Sequence, residues 1–290
     1  MNIVYIGSSG PLSYLPLQAL IQSDYKVTAI AVDSNKNNTI SSINKNSECL
    51  ESLAFYNNLP LIKLTKSVAS NVAAIKKYQA DIILVSCYAR KIPNEIIEVA
   101  KIGCFNIHPS LLPKYRGPSP LFWQFRNGEE KFGVTIHRVT ENFDQGNIVA
   151  QQSITMPDGV SKEDASNLLA KLAVKIILKA LPLLQEGTVK EVKQDEAVAS
   201  YQSYSQKQDY SVSTSWSAKH LYNFIRANIR EGITFPCEVA GKVYELIDVV
   251  SFQDNAYTEM GDALYFISNG MIYFRCQKGY MHCTLKNLKK

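Results

Sequence analysis

Residues 81–86 constrain this chain more than any other stretch, because Ile82, Ile83, Leu84 and Val85 follow one another with no polar residue between them. A strand without alternation must be covered on both faces, as in a parallel sheet flanked by helices. Residues 2–7, 26–32 and 102–107 have the same character, and helix-period segments fall at 12–22, 48–57 and 69–78. Strands alternating with helices predict an α/β fold, an open, doubly wound, mostly parallel sheet.

Ligands of such sheets bind outside the carboxyl ends of the strands. Here those ends are 7–10, 86–88 and 106–108. The first, Gly7-Ser8-Ser9-Gly10, lacks the GxGxxG spacing and a placed ribose acid, so it reads as a tight strand-to-helix turn. The third carries Asn106 and His108, which are two apart on a strand and share one face. Pro109 stops that strand, and Pro113 and Pro118 stiffen the following loop. Asp144 falls on a predicted turn between strands at 133–139 and 148–154. A lone histidine is usually structural. An amide donor, an imidazole and a carboxylate together suit acyl transfer to an amine, in which an oxyanion is stabilised and protons move.

Other side chains carry less. His137 lies mid-strand and reads as a supporting residue; Arg116 reads equally as a contact for an anionic substrate or a surface turn. The aromatic run 121–125 suits a packed helix, and the Asn/Ser-rich stretch 35–46 a loop. His220 and His282 have no ligand-spaced neighbours, and the six cysteines form no CxxC pair, so no metal site is expected. Cys87 and Cys104 read as small buried hydrophobes. With no basic leader and no apolar run near the roughly 20 residues that span a bilayer, a soluble cytoplasmic protein is expected, without a membrane partner. A formal charge of +5 is compatible with a phosphate-bearing substrate but does not require one.

Residues 161–164 fit a capping box that opens a long helix to about 184. A polar stretch without periodicity follows, then a helix at 216–228 and short strands at 238–243, 244–250, 263–267, 271–276 and 280–285. The expected organisation is a first domain over 1–185, a connector over 186–208 and a small β-rich domain over 209–290.

The run Asn106-Ile107-His108-Pro109-Ser110-Leu111-Leu112-Pro113, the following Tyr115-Arg116-Gly117-Pro118, Gly133-Val134-Thr135, and Asp144 with Gly146 resemble the folate-dependent formyltransferases. The resemblance implies a formyltransferase-type sheet and transfer of a formyl group from 10-formyltetrahydrofolate, as co-substrate, to a primary amine. It implies Asn106, His108 and Asp144 as the catalytic trio, with Asp144 setting the tautomer of His108 and supporting its cation. It implies Ser110, Leu111, Leu112 and Pro113 as the loop along the folate, and Tyr88 and Ile92 beside the pterin, although Ala89 replaces the glycine common after that tyrosine.

Residues 216–227 are similar to the opening helix of the C-terminal domain shared by methionyl-tRNA formyltransferases and some nucleotide-sugar formyltransferases, and the later strands suit its OB-like barrel. The implied acceptor is the α-amino group of methionyl-tRNA, with a nucleotide-linked amino sugar as the alternative. The latter gains weight because residues 34–47 offer only Lys36 and Lys45, where a tRNA-gripping loop is basic. A non-catalytic folate or RNA binder is the reading from another class.

Overall fold

The apolar runs form strands that pair through their backbones and bury both faces. In a computed structural model, which describes residues 1–34, 49–254 and 263–286, they are β1 (Asn2–Gly7), β2 (Lys26–Asp33), β4 (Ile82–Ser86) and β5 (Gly103–His108). With β3 (Leu61–Leu64), β6 (Lys131–Arg138) and β7 (Ile148–Thr155) they make a seven-stranded sheet ordered β3-β2-β1-β4-β5-β6-β7. Every pair from β3 to β5 is parallel, and β6 runs antiparallel to β5. The order reverses direction between β1 and β4, so the switch point lies outside the carboxyl ends of those two strands, next to the end of β5.

Alternation assigns the two faces. Val4, Ile6, Ile83, Val85 and Cys104 point to one side and pack with Ile75 of helix α3 (Val68–Lys76) and Ile96 of the short α4 (Asn94–Ile97). On the other side the Tyr5 hydroxyl donates to the Ser13 carbonyl of helix α1 (Pro11–Ile21) at 2.8 Å, so α1 lies there. Helix α2 (Leu50–Tyr56) packs against α1 and β2. Gly7 has no room for a side chain, since a Cβ there would overlap Ser13 Oγ and meet the Ser86 carbonyl at 2.9 Å. The glycine therefore serves close packing of β1, α1 and β4, and the 7–10 turn needs no bound nucleotide to explain it.

Two units divide the chain. The first comprises Met1–Pro120, Phe132–Ile154 and Ser166–Gln202, so the stretch up to Gln202 belongs with the parallel sheet. The second comprises Leu121–Lys131, Thr155–Ala165 and Ser203–Lys290. The predicted cap of the long helix α6 (Lys162–Glu186) is present: the Asp164 amide donates to Ser161 Oγ at 3.0 Å.

In the second unit, β8 (Val212–Ser213), β9 (Phe235–Val239), β10 (Lys242–Gln253), β11 (Tyr265–Ser268), β12 (Met271–Arg275) and β13 (Tyr280–Leu285) form a sheet ordered β11-β12-β13-β10-β9-β8. It is antiparallel except for the β8–β9 pair. Helix α7 (Ala218–Asn228), capped by Ser217 Oγ, packs on β10 and β13. The aromatic helix α5 (Pro120–Arg126) supplies its core, with Phe122 5.2 Å from Tyr210 and 5.6 Å from Phe224 between ring centroids.

The strand expected over 238–243 is corrected. It ends at Val239, and Ala240 and Gly241, both at positive φ (49° and 78°), make a two-residue hairpin turn before β10 begins. Such turns need φ > 0 at both central residues, and alanine is a poor signal for that. Cys87 is also corrected: it is exposed, at φ 55°, just past the end of β4, whereas Cys104 is buried. The Asn/Ser-rich stretch 35–46 lies outside the described residues. Among the described residues no helix is long and apolar enough to cross a membrane.

Candidate active site

The carboxyl end of β5 places Asn106 and His108 on one face, and the antiparallel register sets His137 of β6 directly across from Asn106. Asp144 follows β6 on a turn with φ 56°, a conformation that aspartate tolerates better than most residues. The turn closes tightly at Gly146, where a Cβ would overlap the Arg138 carbonyl oxygen.

These side chains converge. Asp144 Oδ1 accepts a hydrogen bond from Asn106 Nδ2 at 3.3 Å and lies 3.6 Å from His108 Nδ1 and 3.4 Å from His137 Nε2. Its Oδ2 accepts from the Gly117 amide at 2.8 Å. Burial pushes the Asp144 carboxyl upward in pKa, but the two imidazoles and the Gly117 amide outweigh it and hold the group well below the usual carboxylate range. His108 is buried, which lowers its pKa from the ordinary histidine value, while the Asp144 charge pulls the other way. The resting pair is therefore a carboxylate beside a neutral imidazole.

The neutral tautomer of His108 is not set by Asp144, contrary to the expectation. His108 Nε2 lies 2.8 Å from the Tyr115 carbonyl, which only accepts, so the ring proton sits on Nε2 and the Nδ1 lone pair faces Asp144. His137 shows the opposite arrangement. Its Nδ1 donates to the Arg138 carbonyl at 2.8 Å, and its Nε2 lies 3.2 Å from Asn106 Nδ2 and 3.4 Å from Asp144 Oδ1. The 3.3 Å bond from Asn106 to Asp144 is long for its type. The half-buried amide and the proton-accepting Nδ1 lie 3.3 and 3.6 Å from the same carboxylate oxygen. That arrangement suits stabilising a negative oxygen and taking up a proton.

The loop after β5 is fixed from beneath. Ser110 Oγ donates to the Lys114 carbonyl at 2.7 Å, and Thr135 Oγ1 donates to the Ser110 carbonyl at 2.6 Å. Thr135 Oγ1 accepts in turn from the Leu112 amide at 3.2 Å and from Gln151 Nε2 at 2.8 Å. Leu111 packs where a Cβ on Gly133 would overlap its Cδ2, and the Leu112–Pro113 bond is cis. Ser110 and Leu112 are buried, whereas Leu111 and Pro113 are partly exposed. Beyond β4, Tyr88 is partly buried and its hydroxyl accepts from Arg90 Nε at 3.1 Å. Ile92 is buried in the sheet core beside Ile83 and Val85. The sequence-named residues thus divide: the trio meets at one point, Tyr88, Leu111 and Pro113 reach the surface on the two flanking loops, and Ser110, Leu112 and Ile92, expected against the folate, are instead buried and support those loops from within.

Three residues of the site gave weaker sequence signals. His137 was placed mid-strand, and only the β5–β6 register reveals that it faces the trio. Arg116 is neither a surface turn nor a hook for an anionic substrate: it is 4% exposed. Its guanidinium donates to Gln194 Oε1 (3.1 and 2.9 Å) and to Glu196 (2.9 and 2.7 Å). Gln194 lies in the aperiodic stretch and gave no signal at all. Among the described residues no cluster of histidine, cysteine or acidic side chains is arranged to hold a metal ion.

The chain is similar in sequence and in fold to known proteins. A family model described as formyl transferase matches residues 1–181. The methionyl-tRNA formyltransferase of Clostridioides difficile is 29% identical over 228 residues, covering 78% of this chain and 73% of that protein. The bifunctional polymyxin resistance protein ArnA of Wigglesworthia glossinidia brevipalpis is 32% identical over 224 residues, covering 74% of this chain and 33% of that protein. In structure, the sugar 3N-formyl transferase WlaRD, solved in the presence of dTDP and 5-N-formyl-THF, superposes with a TM-score of 0.72 at 19% identity. The match covers 100% of this chain and 98% of that one. An N-formyltransferase from Helicobacter canadensis, in complex with folinic acid and dTDP-3-aminofucose, gives 0.70 at 18% identity, covering 98% of this chain and 99% of that one. The chain belongs to the formyl transferase family of enzymes.

Proposed function

We propose that this protein transfers the formyl group of 10-formyltetrahydrofolate to a primary amine, with the α-amino group of methionyl-tRNA as acceptor. The observation that carries the reading is the convergence of Asn106, His108 and Asp144 on one point at the end of β5. Folate-type ligands named with WlaRD and with the Helicobacter canadensis enzyme support the donor.

Formyl-folate is consumed in the reaction and is a substrate. The residues present fit it: Leu111, Pro113 and Tyr88 offer partly exposed apolar surface beside the trio, on loops anchored by Thr135, Gln151 and Arg90. The neutral amine attacks the formyl carbon, and the carbonyl electron pair moves to oxygen. Asn106 turns the hydrogen of its long bond to Asp144 towards that oxygen. His108 takes the amine proton at Nδ1, where the Asp144 carboxylate supports the cation, and delivers it towards N10 as the carbon–nitrogen bond to the folate breaks. The products are the formylated amine and tetrahydrofolate.

A nucleotide-linked amino sugar is the second reading for the acceptor. It is favoured by the near-complete coverage of this chain by sugar N-formyltransferase structures and by the two lysines alone in 34–47. A competition assay tests both: the protein, 10-formyltetrahydrofolate, methionyl-tRNA and a dTDP-linked amino sugar are mixed, and each acceptor is weighed by mass spectrometry. A one-formyl mass gain on methionyl-tRNA supports the first reading, and a gain on the sugar alone replaces it with the second. Formate release with neither acceptor modified overturns both.

A further inference from the structure

The family match ends at residue 181, and the Asp144 carboxylate is bonded from within it by Gly117 and Asn106, yet the backbone of the turn that carries Asp144 is held by a residue beyond it. Gln194 is 4% exposed, and its Nε2 donates to two carbonyls of the same turn, those of Asp144 and Gly146, each at 2.7 Å. Asp144 holds a positive φ there, a conformation that favours glycine and that its surroundings must help to hold. Gln194 cannot rotate away, because Arg116 binds its Oε1 through Nε and Nη2.

The same segment also reaches the other partner of His108. Ser200 Oγ accepts from the amide of Tyr115, which is itself at φ 62° and presents its carbonyl to His108 Nε2. The Ser200 amide donates to the Pro113 carbonyl at 3.1 Å, the Arg116 amide donates to the Ser200 carbonyl at 2.9 Å, and the Arg116 carbonyl accepts from the Gln202 amide at 2.8 Å. One strap, 194–202, thus ties down both the carboxylate that faces one nitrogen of His108 and the carbonyl that faces the other.

We infer that Gln194 is a positioning residue for formyl transfer: by bonding the backbone carbonyls of Asp144 and Gly146 it fixes the Asp144 carboxylate against His108. The inference rests on the proposed role of Asp144. It predicts that an error in aiming the carboxylate lowers turnover without weakening substrate binding.

Gln194→Glu isolates the effect. The carboxylate keeps the size of the side chain and still accepts from Arg116, but it has no hydrogen for the two carbonyls. Gln194→Met, which removes both sets of bonds, serves as a second variant. With circular dichroism confirming the fold, kcat of Gln194→Glu should fall about 10–100-fold while KM for the formyl-folate stays within about threefold. In an Asp144→Ala background, whose residual rate is read by single turnover, the same substitution should change the rate by no more than about twofold, because it acts through Asp144. Wild-type kcat in both Gln194 variants, or an equal loss in the presence and absence of Asp144, overturns the inference. Full activity of Asp144→Ala alone overturns the reading of the site on which it stands.

Discussion

Replacing Asp144 by Asn keeps the shape of the side chain and removes its charge. In the protein Oδ2 accepts from the Gly117 amide at 2.8 Å, and Oδ1 accepts from Asn106 at 3.3 Å while facing two imidazoles at 3.4 and 3.6 Å. An amide meets these demands only in part, since its nitrogen can donate towards the His108 Nδ1 lone pair but cannot accept from Asn106 or Gly117. With its nitrogen in place of Oδ2 it opposes the Gly117 N–H, and in place of Oδ1 it opposes the Asn106 NH₂. Losing one hydrogen bond to a charged group destabilises by about 1.5–3 kcal/mol. His108, already disfavoured as a cation by burial, loses the charge that supports it. Turnover should fall roughly 10²–10⁴-fold, the range for a disabled acid–base group.

The stability effect carries a pH signature. The folded-state pKa of Asp144 is depressed, so the unfolded chain takes up the proton first as the pH falls. The contribution of the carboxylate is complete above about pH 5 and is lost as pH drops through about 4 and below. Urea unfolding of wild type and Asp144→Asn should therefore show the full stability gap at pH 7 and a narrower one at pH 3, and initial-rate assays should show the loss of kcat. A variant with kcat within threefold of wild type, or a gap of equal size at both pH values, refutes the reasoning.

Three further outcomes are expected. Asn106→Ala should lower kcat by roughly a hundredfold or more, the effect of losing one oxyanion donor, with a folded protein and little change in KM; near wild-type turnover contradicts the assignment. The acid limb of the kcat profile should fall below pH 6.5, because neutral His108 accepts the proton and burial lowers its pKa, and His108→Gln should remove that limb; a limb above 6.5 contradicts this. Gly133→Ala forces Leu111 aside and sets a Cβ 2.7 Å from the Gln152 carbonyl. Thermal unfolding should report about 1–3 kcal/mol of destabilisation from overpacking, and KM for the formyl-folate should rise; unchanged donor KM argues that this loop does not line the folate.

The parts of this protein legible in its sequence are those governed by local rules. The uninterrupted apolar run ending at Val85 announced a strand covered on both faces, and Ser161 with Asp164 announced the start of α6. The pair Asn106 and His108 was legible because period 2 puts both on one face. Less visible was whatever depends on pairing across the chain. Leu61–Leu64 is too short to stand out after Pro60, and Ala240 masks a turn that asparagine or glycine would have advertised. His137 joins the site only through antiparallel register with Asn106, and Arg116 becomes a buried anchor only because Gln194 and Glu196 meet it nearly eighty residues later. Cys87 looked like core because it follows an apolar strand, but the chain has already turned outward there.

On the proposed mechanism Asn106, His108 and Asp144 act together to move a formyl group onto an amine. Its most direct test follows ¹³C-labelled formyl carbon by NMR in a single turnover of wild type and of His108→Ala, with methionyl-tRNA and then with a nucleotide-linked amino sugar. In wild type the label should leave N10 of the folate and appear as a formamide on one acceptor, and the variant should slow this step roughly 10²–10⁴-fold. Label that emerges as formate, or transfers equally fast without the imidazole, contradicts it.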